Sequence, residues 1–163
     1  MSINRLILAL EAQLGLLEEF YALLSRETRE LADVNLNAMS EINSRKEVLA
    51  ASIETQSAQV GNRIKEAASA ENLPPATTLR ELGEFCSRRG KKEIFQLHEE
   101  LVRAADRVRR AVSINYEIAE RFAASVSSSL ALLTRVINQS STYGSSGGYQ
   151  QRPTGAVMIN REA

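Results

Sequence analysis

The strongest hydrophobic periodicity in the chain lies in residues 3–31, INRLILALEAQLGLLEEFYALLSRETREL. Its repeating positions advance by alternating steps of four and three residues: Ile3, Ile7, Leu10, Leu14, Leu17, Tyr21, Leu24, Thr28 and Leu31. Such steps put side chains on one face of an α-helix and form a heptad seam, in which Thr28 is the polar member. Leu6 and Phe20 widen the apolar stripe beyond this seam. We therefore expect the first helix to pack against more than one neighbour.

A break and a second helix follow the first one. Residues 33–37, DVNLN, can hydrogen-bond to the backbone through their own side chains, which predicts a turn or a kink; a straight continuation is the alternative. The second helix is predicted from about Leu36 to Ala70, because Pro74 and Pro75 forbid helical continuation soon afterwards. The residues expected on its inner side are Met39, Ile42, Leu49, Ile53, Val60 and Ile64.

A short third helix is predicted over residues 79–90, with Thr78 as its N-cap and Gly90 at its end. Its apolar edge consists of Leu79, Leu82, Phe85 and Cys86. On that edge the single cysteine of the chain is interpreted as a small buried hydrophobic residue rather than a reactive thiol.

The fourth helix is the longest and is predicted from Lys91 or Lys92 to about Asn138. Its seam again alternates steps of four and three: Leu97, Leu101, Ala104, Val108, Ala111, Asn115, Ile118, Phe122, Ser125, Ser129, Leu132 and Val136. Asn115 interrupts this seam, where a polar side chain usually fixes register at some cost in stability. The four helices predict an all-α fold, either an antiparallel bundle of long helices or a coiled-coil hairpin with a short third helix. The spacing is compatible with both.

The composition changes after residue 138, which divides the chain into a helical bundle domain, 1–138, and a C-terminal tail, 139–163. Four of the eight glycines lie in this tail, and its charged residues are Arg152, Arg161 and Glu162. A segment of this composition buries too little apolar surface to offset the entropy lost on ordering. The tail is therefore predicted to be disordered on its own.

Composition and motifs exclude several classes of function. The 20 basic and 20 acidic residues balance. The only aromatic residues near the basic cluster around residue 90 are Phe85 and Phe95, which the periodicity assigns inward, so nucleic-acid binding is not expected. Glu11 interrupts the apolar N-terminal stretch, which suits neither a secretory signal nor a membrane span, so a cytosolic location is the default. The single histidine, His98, lacks metal-ligand partners at helical spacing and is interpreted as solvated on a helix surface. No catalytic motif, metal site or cofactor site is predicted, so the chain is not expected to be an enzyme.

The order of these segments resembles the FlgN family of bacterial flagellar export chaperones. The matching stretches are the first heptad helix, LNAMSEINSRKEVL (36–49) with Ile42 and Lys46, TLRELGEFC (78–86), SINYEIAERF (113–122) with Asn115, TYGSSGG (142–148) and INREA (159–163). Among them, the helical body joined to a Tyr-Gly-rich tail that ends in INREA is the most specific feature. The resemblance covers nearly all of the chain.

This resemblance implies a cytoplasmic chaperone that binds the hook–filament junction proteins FlgK and FlgL, masks their terminal helices and delivers them to the export gate. The residues expected to bind the client are Leu132, Leu133, Val136 and Ile137 on the fourth helix and Val157, Met158 and Ile159 in the tail. Tyr143, with Tyr149 second, is the residue expected to dock on the export-gate protein FlhA. The alternative function is a structural coiled-coil adaptor that forms homo-oligomers, and a homodimer is compatible with both functions.

Overall fold

The computed structural model of the protein describes residues 2–140, which form four α-helices. These are α1 (Ser2–Ala32), α2 (Leu36–Ala70), α3 (Leu79–Arg88) and α4 (Glu93–Ser140). The described residues contain no strand, so the predicted all-α class is confirmed. The observed helix ends lie within two residues of the predicted ones. The predicted disordered tail falls outside the described residues from position 141 onward.

The chain forms two compact units, Met1–Ala119 and Glu120–Ala163, so α4 contributes residues to both. The first unit contains α1, α2, α3 and the N-terminal half of α4. In the second unit the described residues are 120–140, the C-terminal half of α4. The predicted division into a domain of residues 1–138 and a tail of residues 139–163 stays a prediction.

A tight turn separates α1 from α2, as the sequence of residues 33–37 predicts. Val34 adopts a positive φ of 53°, a left-handed conformation that cannot continue an α-helix. Asn35 then caps α2, because its Oδ1 accepts a hydrogen bond of 3.2 Å from the backbone N–H of Ala38. Neither a kink nor a straight continuation occurs here.

Helices α1 and α2 run antiparallel. Arg26 near the end of α1 pairs with Glu41 near the start of α2, and Gln13 of α1 donates to Ser57 Oγ, further along α2, at 3.0 Å. As the residue number rises in α1, that of its partner in α2 falls. The first unit is therefore a bundle rather than a pair of helices that diverge after the turn.

Within the first unit, α4 runs parallel to α1. Arg107 of α4 forms an ion pair with Glu18 of α1, and Asn115 of α4 donates to the backbone oxygen of Leu24. Here the residue numbers of both partners rise together. The three long helices thus have an up-down-up arrangement, in which α1 contacts both α2 and α4. This confirms that α1 packs against more than one neighbour.

The main core lies where α3 joins the long helices. Its buried members are Leu6, Leu10, Val60, Ala67, Leu82, Cys86, Ile94 and Leu97. Close packing of α3 on the start of α4 depends on Gly83, because a Cβ atom at that position would lie 3.1 Å from Phe95 Cα. Cys86 is 2% exposed, which confirms its interpretation as a small buried hydrophobic residue.

The predicted seam of α1 is correct in outline, with one exception and three omissions. Tyr21 was predicted in the seam but is 37% exposed, and Arg107 Cζ lies 5.5 Å from the centroid of its ring. Gln13, Leu23 and Glu27, which neither the seam nor the wider apolar stripe includes, are buried. Both differences arise because α1 contacts two helices. Its buried face extends from its contact with α2 to its contact with α4, whereas a single seam describes contact with only one helix.

Candidate functional site

A buried polar network centred on Asn115 connects α4 to α1. The side-chain Nδ2 of Asn115 donates to the backbone oxygen of Leu24 and to Glu27 Oε2, both at 2.9 Å. Its Oδ1 accepts a hydrogen bond of 2.6 Å from Thr28 Oγ1. Asn115 is 4% exposed, so this donor and acceptor set satisfies a polar side chain inside the bundle. The register role predicted for Asn115 therefore has a structural basis.

The third long helix joins the same network through Lys46. The Nζ atom of Lys46, on α2, pairs with Glu27 Oε1, while the other carboxylate oxygen of Glu27 accepts from Asn115. Glu27 is 6% exposed, and a carboxylate so buried requires compensating donors. One carboxylate of α1 is thus held by side chains from α2 and α4.

Next to this network is a pocket of about 490 Å³ that is lined by residues of all three long helices. Its apolar lining includes Phe20 and Leu24 of α1, Ala50 of α2 and Val112 of α4. The Glu27–Lys46 pair and Asn115 also line it. The two family-like positions Lys46 and Asn115 therefore meet at one pocket, which their sequence spacing alone does not reveal. We call this the Asn115 pocket.

A second pocket, of about 350 Å³, lies further along the same three helices. Its lining includes Leu17 of α1, Val60 of α2 and Leu101 of α4, together with Gln13 and His98. We call it the Gln13 pocket. Residues of α1, α2 and α4 line both pockets, and the Gln13 pocket lies nearer the N-terminal ends of α1 and α4.

His98 is not solvated as predicted. Its side chain is 20% exposed, lines the Gln13 pocket and lies beside Phe95, with 6.5 Å between the ring centroids. The prediction failed because residues of both α1 and α2 lie next to this part of α4. The surface of α4 that they cover is wider than the predicted seam and includes His98 beside Leu97. Within residues 2–140, no group of three or more His, Cys, Asp or Glu side chains could hold a metal ion.

An apolar stripe runs along the described part of the second unit. Every side chain from residue 120 to residue 137 is exposed. The large apolar residues in this stretch are Phe122, Val126, Leu130, Leu132, Leu133, Val136 and Ile137. Phe122, Val126 and Leu133 follow one another by four and seven residues, which places them on one helix face. We call this set of seven residues the α4 stripe.

The four helical residues predicted to bind a client belong to the α4 stripe. Leu132, Leu133, Val136 and Ile137 are between 57% and 63% exposed. The predicted seam of α4 is buried or half-buried from Leu97 to Ile118, but its later members Phe122 and Val136 are exposed. A spacing pattern identifies which residues share a face, whereas burial also requires a neighbour over that face.

The remaining predicted site residues lie outside the described part of the chain. They are the client-binding residues Val157, Met158 and Ile159 and the gate-docking residues Tyr143 and Tyr149. Their roles stay predictions. None of the helices in residues 2–140 is both long and apolar enough to cross a membrane.

A helical bundle that presents an apolar helix face has the architecture of a module that binds helices of other proteins. A family model described as FlgN protein matches residues 1–151, which include all four helices. The chain belongs to the FlgN family. Members of this family are flagellar export chaperones rather than enzymes, and they bind flagellar export substrates. No curated protein and no solved structure matched the chain.

Proposed function

We propose that the protein is a cytoplasmic chaperone for the hook–filament junction proteins FlgK and FlgL. It binds a terminal helix of each client and keeps that helix from associating with other chains before export. The observation that carries this proposal is the α4 stripe, a row of large apolar side chains that are all exposed between residues 120 and 137. The function of the family supports it.

The physical reason is that an exposed apolar helix face gains free energy when another helix covers it. Burial of a leucine or phenylalanine side chain contributes roughly 1.5–3 kcal/mol. Phe122, Val126, Leu130 and Leu133 are each between 42% and 59% exposed, so all four retain apolar surface for a partner. A client helix with a complementary apolar stripe would pair with them in the manner of a coiled coil.

The tail takes part in the same interaction in this proposal. Val157, Met158 and Ile159 add a second apolar contact to the client helix, and the methionine adapts to helices of different shape. Because ordering a tail consumes part of the binding free energy, the complex stays weak enough to release its client. Tyr143, or Tyr149 in its place, docks the loaded chaperone on FlhA at the export gate.

Co-purification tests the choice of client. The full-length chain and its Leu133→Glu variant would each be tagged and recovered from a flagellated bacterium that produces FlgK and FlgL. The matched control is Leu8→Glu on α1, since Leu8 is 65% exposed and Leu133 is 57% exposed. We expect FlgK or FlgL with the full-length chain and with Leu8→Glu, and loss of both with Leu133→Glu.

Two results would contradict the proposal. Absence of both junction proteins from the unaltered chain would reject them as clients. Recovery of a second copy of this chain instead, in an oligomer that Leu133→Glu dissolves, would favour the coiled-coil adaptor, in which the α4 stripe pairs with itself.

A further inference from the structure

Helices α1, α2 and α3 end in the same way, but the end of α1 carries an unusual residue. A residue with positive φ follows each helix: Val34 after α1, Asn72 after α2 and Gly90 after α3. The next residue then donates a backbone hydrogen bond to the oxygen five residues back, as Asn35 does to Glu30 at 3.1 Å. This arrangement is the Schellman cap, whose left-handed position favours glycine and tolerates asparagine. Valine is the exception among the three.

The backbone of Val34 is strained. Its φ of 53° lies in the left-handed region, where the Cβ of an L-residue crowds the following carbonyl oxygen, and a branched side chain is the least suited to it. The side chain is 49% exposed and belongs to neither hydrophobic cluster of the bundle. Core packing therefore does not hold Val34 in this conformation, and a second conformation of the chain can relieve the strain.

The sequence on both sides of this turn fits one continuous helix. Ile42 and Leu49 of α2 are buried in a cluster with Leu23 of α1. They lie 14 and 21 residues after Thr28, a member of the α1 seam, and both intervals are whole heptads. A helix that ran straight through residues 33–35 would therefore present the α1 seam and these inner residues of α2 on one face.

In a chain with this straight helix, α1 can no longer fold back on its own α2. The face of α1 would then be covered by a second copy, with α1 of one copy packed on α2 and α4 of the other. The contacts of the bundle would be the same, but they would be made between chains. Glu27 of one copy would accept from Asn115 and pair with Lys46 of the other. Each copy would thus complete the polar network of the other.

We propose that the turn between α1 and α2 is a hinge at which two copies of this chain exchange α1. In the exchanged dimer, residues 2–70 of each copy form one helix, and Val34 adopts the ordinary helical conformation. The exchange goes beyond the proposed function and does not rest on it. Since α4 stays in its own chain, each copy keeps its α4 stripe and the dimer carries two.

Refolding from guanidinium at a series of protein concentrations, followed by size-exclusion chromatography with light scattering, measures this dimer. Val34→Gly removes the strain from the turn and weakens the straight helix, so both effects oppose the exchange. Val48→Gly is the matched control, since Val48 is an exposed valine of α2 that is helical in both forms. Because the dimer contains two hinges, its formation constant should fall at least about tenfold in Val34→Gly. It should change less than about twofold in Val48→Gly.

Cross-linking shows whether α1 is exchanged in the dimer. Glu19 of α1 and Arg45 of α2 form an exposed ion pair of 3.2 Å. With Glu19→Cys and Arg45→Cys in a Cys86→Ala background, a short bismaleimide should join the two positions within one chain in the monomer. In the exchanged dimer it should join two chains, which gives a band of dimer mass on a denaturing gel. Glu19→Cys without Arg45→Cys should give no such band, because Glu19 of each copy lies beside α2 of the other.

Three results would overturn the exchange: no dimer at any concentration, equal formation constants for the unaltered chain and Val34→Gly, or a dimer whose cross-links all lie within single chains. The third result would mean association through another surface. Leu133→Glu identifies that surface, since it should dissolve a dimer formed by the α4 stripe and leave an exchanged dimer intact. Failure of the exchange leaves the proposed function in place, and failure of FlgK and FlgL to bind leaves the exchange in place.

Discussion

Asn115 of α4 donates a hydrogen bond of 2.9 Å to Glu27 of α1, and both side chains are buried inside the bundle. The same carboxylate also pairs with Lys46 of α2. A buried carboxylate with only one of these donors would be poorly compensated, so the network is complete only when all three long helices are in register. It therefore favours one packing of the helices over shifted alternatives that would bury the same apolar area.

Replacement of Asn115 by leucine tests this register role. The change removes the donor to Glu27 and to the Leu24 backbone oxygen, and it leaves both acceptors inside the bundle. We expect a loss of about 2–3 kcal/mol in the free energy of unfolding, measured by denaturant titration with circular dichroism. Ser113→Leu, at an exposed position of α4, serves as the control and should change this free energy by less than about 0.5 kcal/mol. An Asn115→Leu protein as stable as the unaltered chain would contradict the role.

The cap of α3 gives the stability of the protein a pH dependence. The backbone N–H of Thr78 donates to Glu81 Oε2 at 2.8 Å, and this hydrogen bond, with a second from the Thr78 hydroxyl, lowers the pKa of Glu81. A carboxyl with a lower pKa in the folded state stabilises the protein above its unfolded pKa, near 4.5. That stabilisation is lost as the pH falls through the folded pKa.

Glu81→Gln should therefore lower the melting temperature at pH 7, and the difference from the unaltered chain should shrink as the pH falls below 4.5. Differential scanning calorimetry across this range measures the effect. Glu54→Gln, at an exposed position of α2, provides the comparison, because Glu54 caps no helix. A difference for Glu81→Gln that stays constant from pH 7 to pH 3 would show that its carboxylate charge does not contribute.

Cys86 should be unreactive in the folded protein. Burial raises the pKa of its thiol above the ordinary value, and the side chain is 2% exposed, so little thiolate reaches solvent. We expect a chromogenic disulfide reagent at pH 8 to modify the native protein at least about a hundredfold more slowly than the protein unfolded in guanidinium. Equal rates in the two states would mean that α3 opens readily from the core.

Much of this fold could be predicted from periodicity and helix-breaking residues. Thr28 and Asn115 were each predicted as a polar member of a separate seam, and in the structure the Thr28 hydroxyl donates a hydrogen bond of 2.6 Å to Asn115 Oδ1. Their spacing could place each on an inward face. It could not pair them, because the relative direction and register of α1 and α4 depend on packing along both helices.

The buried polar residues were harder to predict. Gln13 and Glu27 interrupt no seam and have polar side chains, so nothing local in the sequence marks them as buried. They are covered because α1 has two long neighbours, α2 and α4, which together enclose a wider face than one seam. The C-terminal part of α4 shows the opposite error. Phe122 and Val136 continue the seam spacing, which predicts burial, but both side chains are exposed.

Isothermal titration calorimetry with purified FlgK and FlgL is the most direct test of whether the α4 stripe binds the helices of junction proteins. The unaltered chain should bind with 1:1 stoichiometry and a negative heat-capacity change, which is the mark of apolar burial. Leu133→Ala should weaken binding by about tenfold, and Leu8→Ala should leave it unchanged. Equal affinities for the unaltered chain and Leu133→Ala, or no binding by either, would contradict the claim.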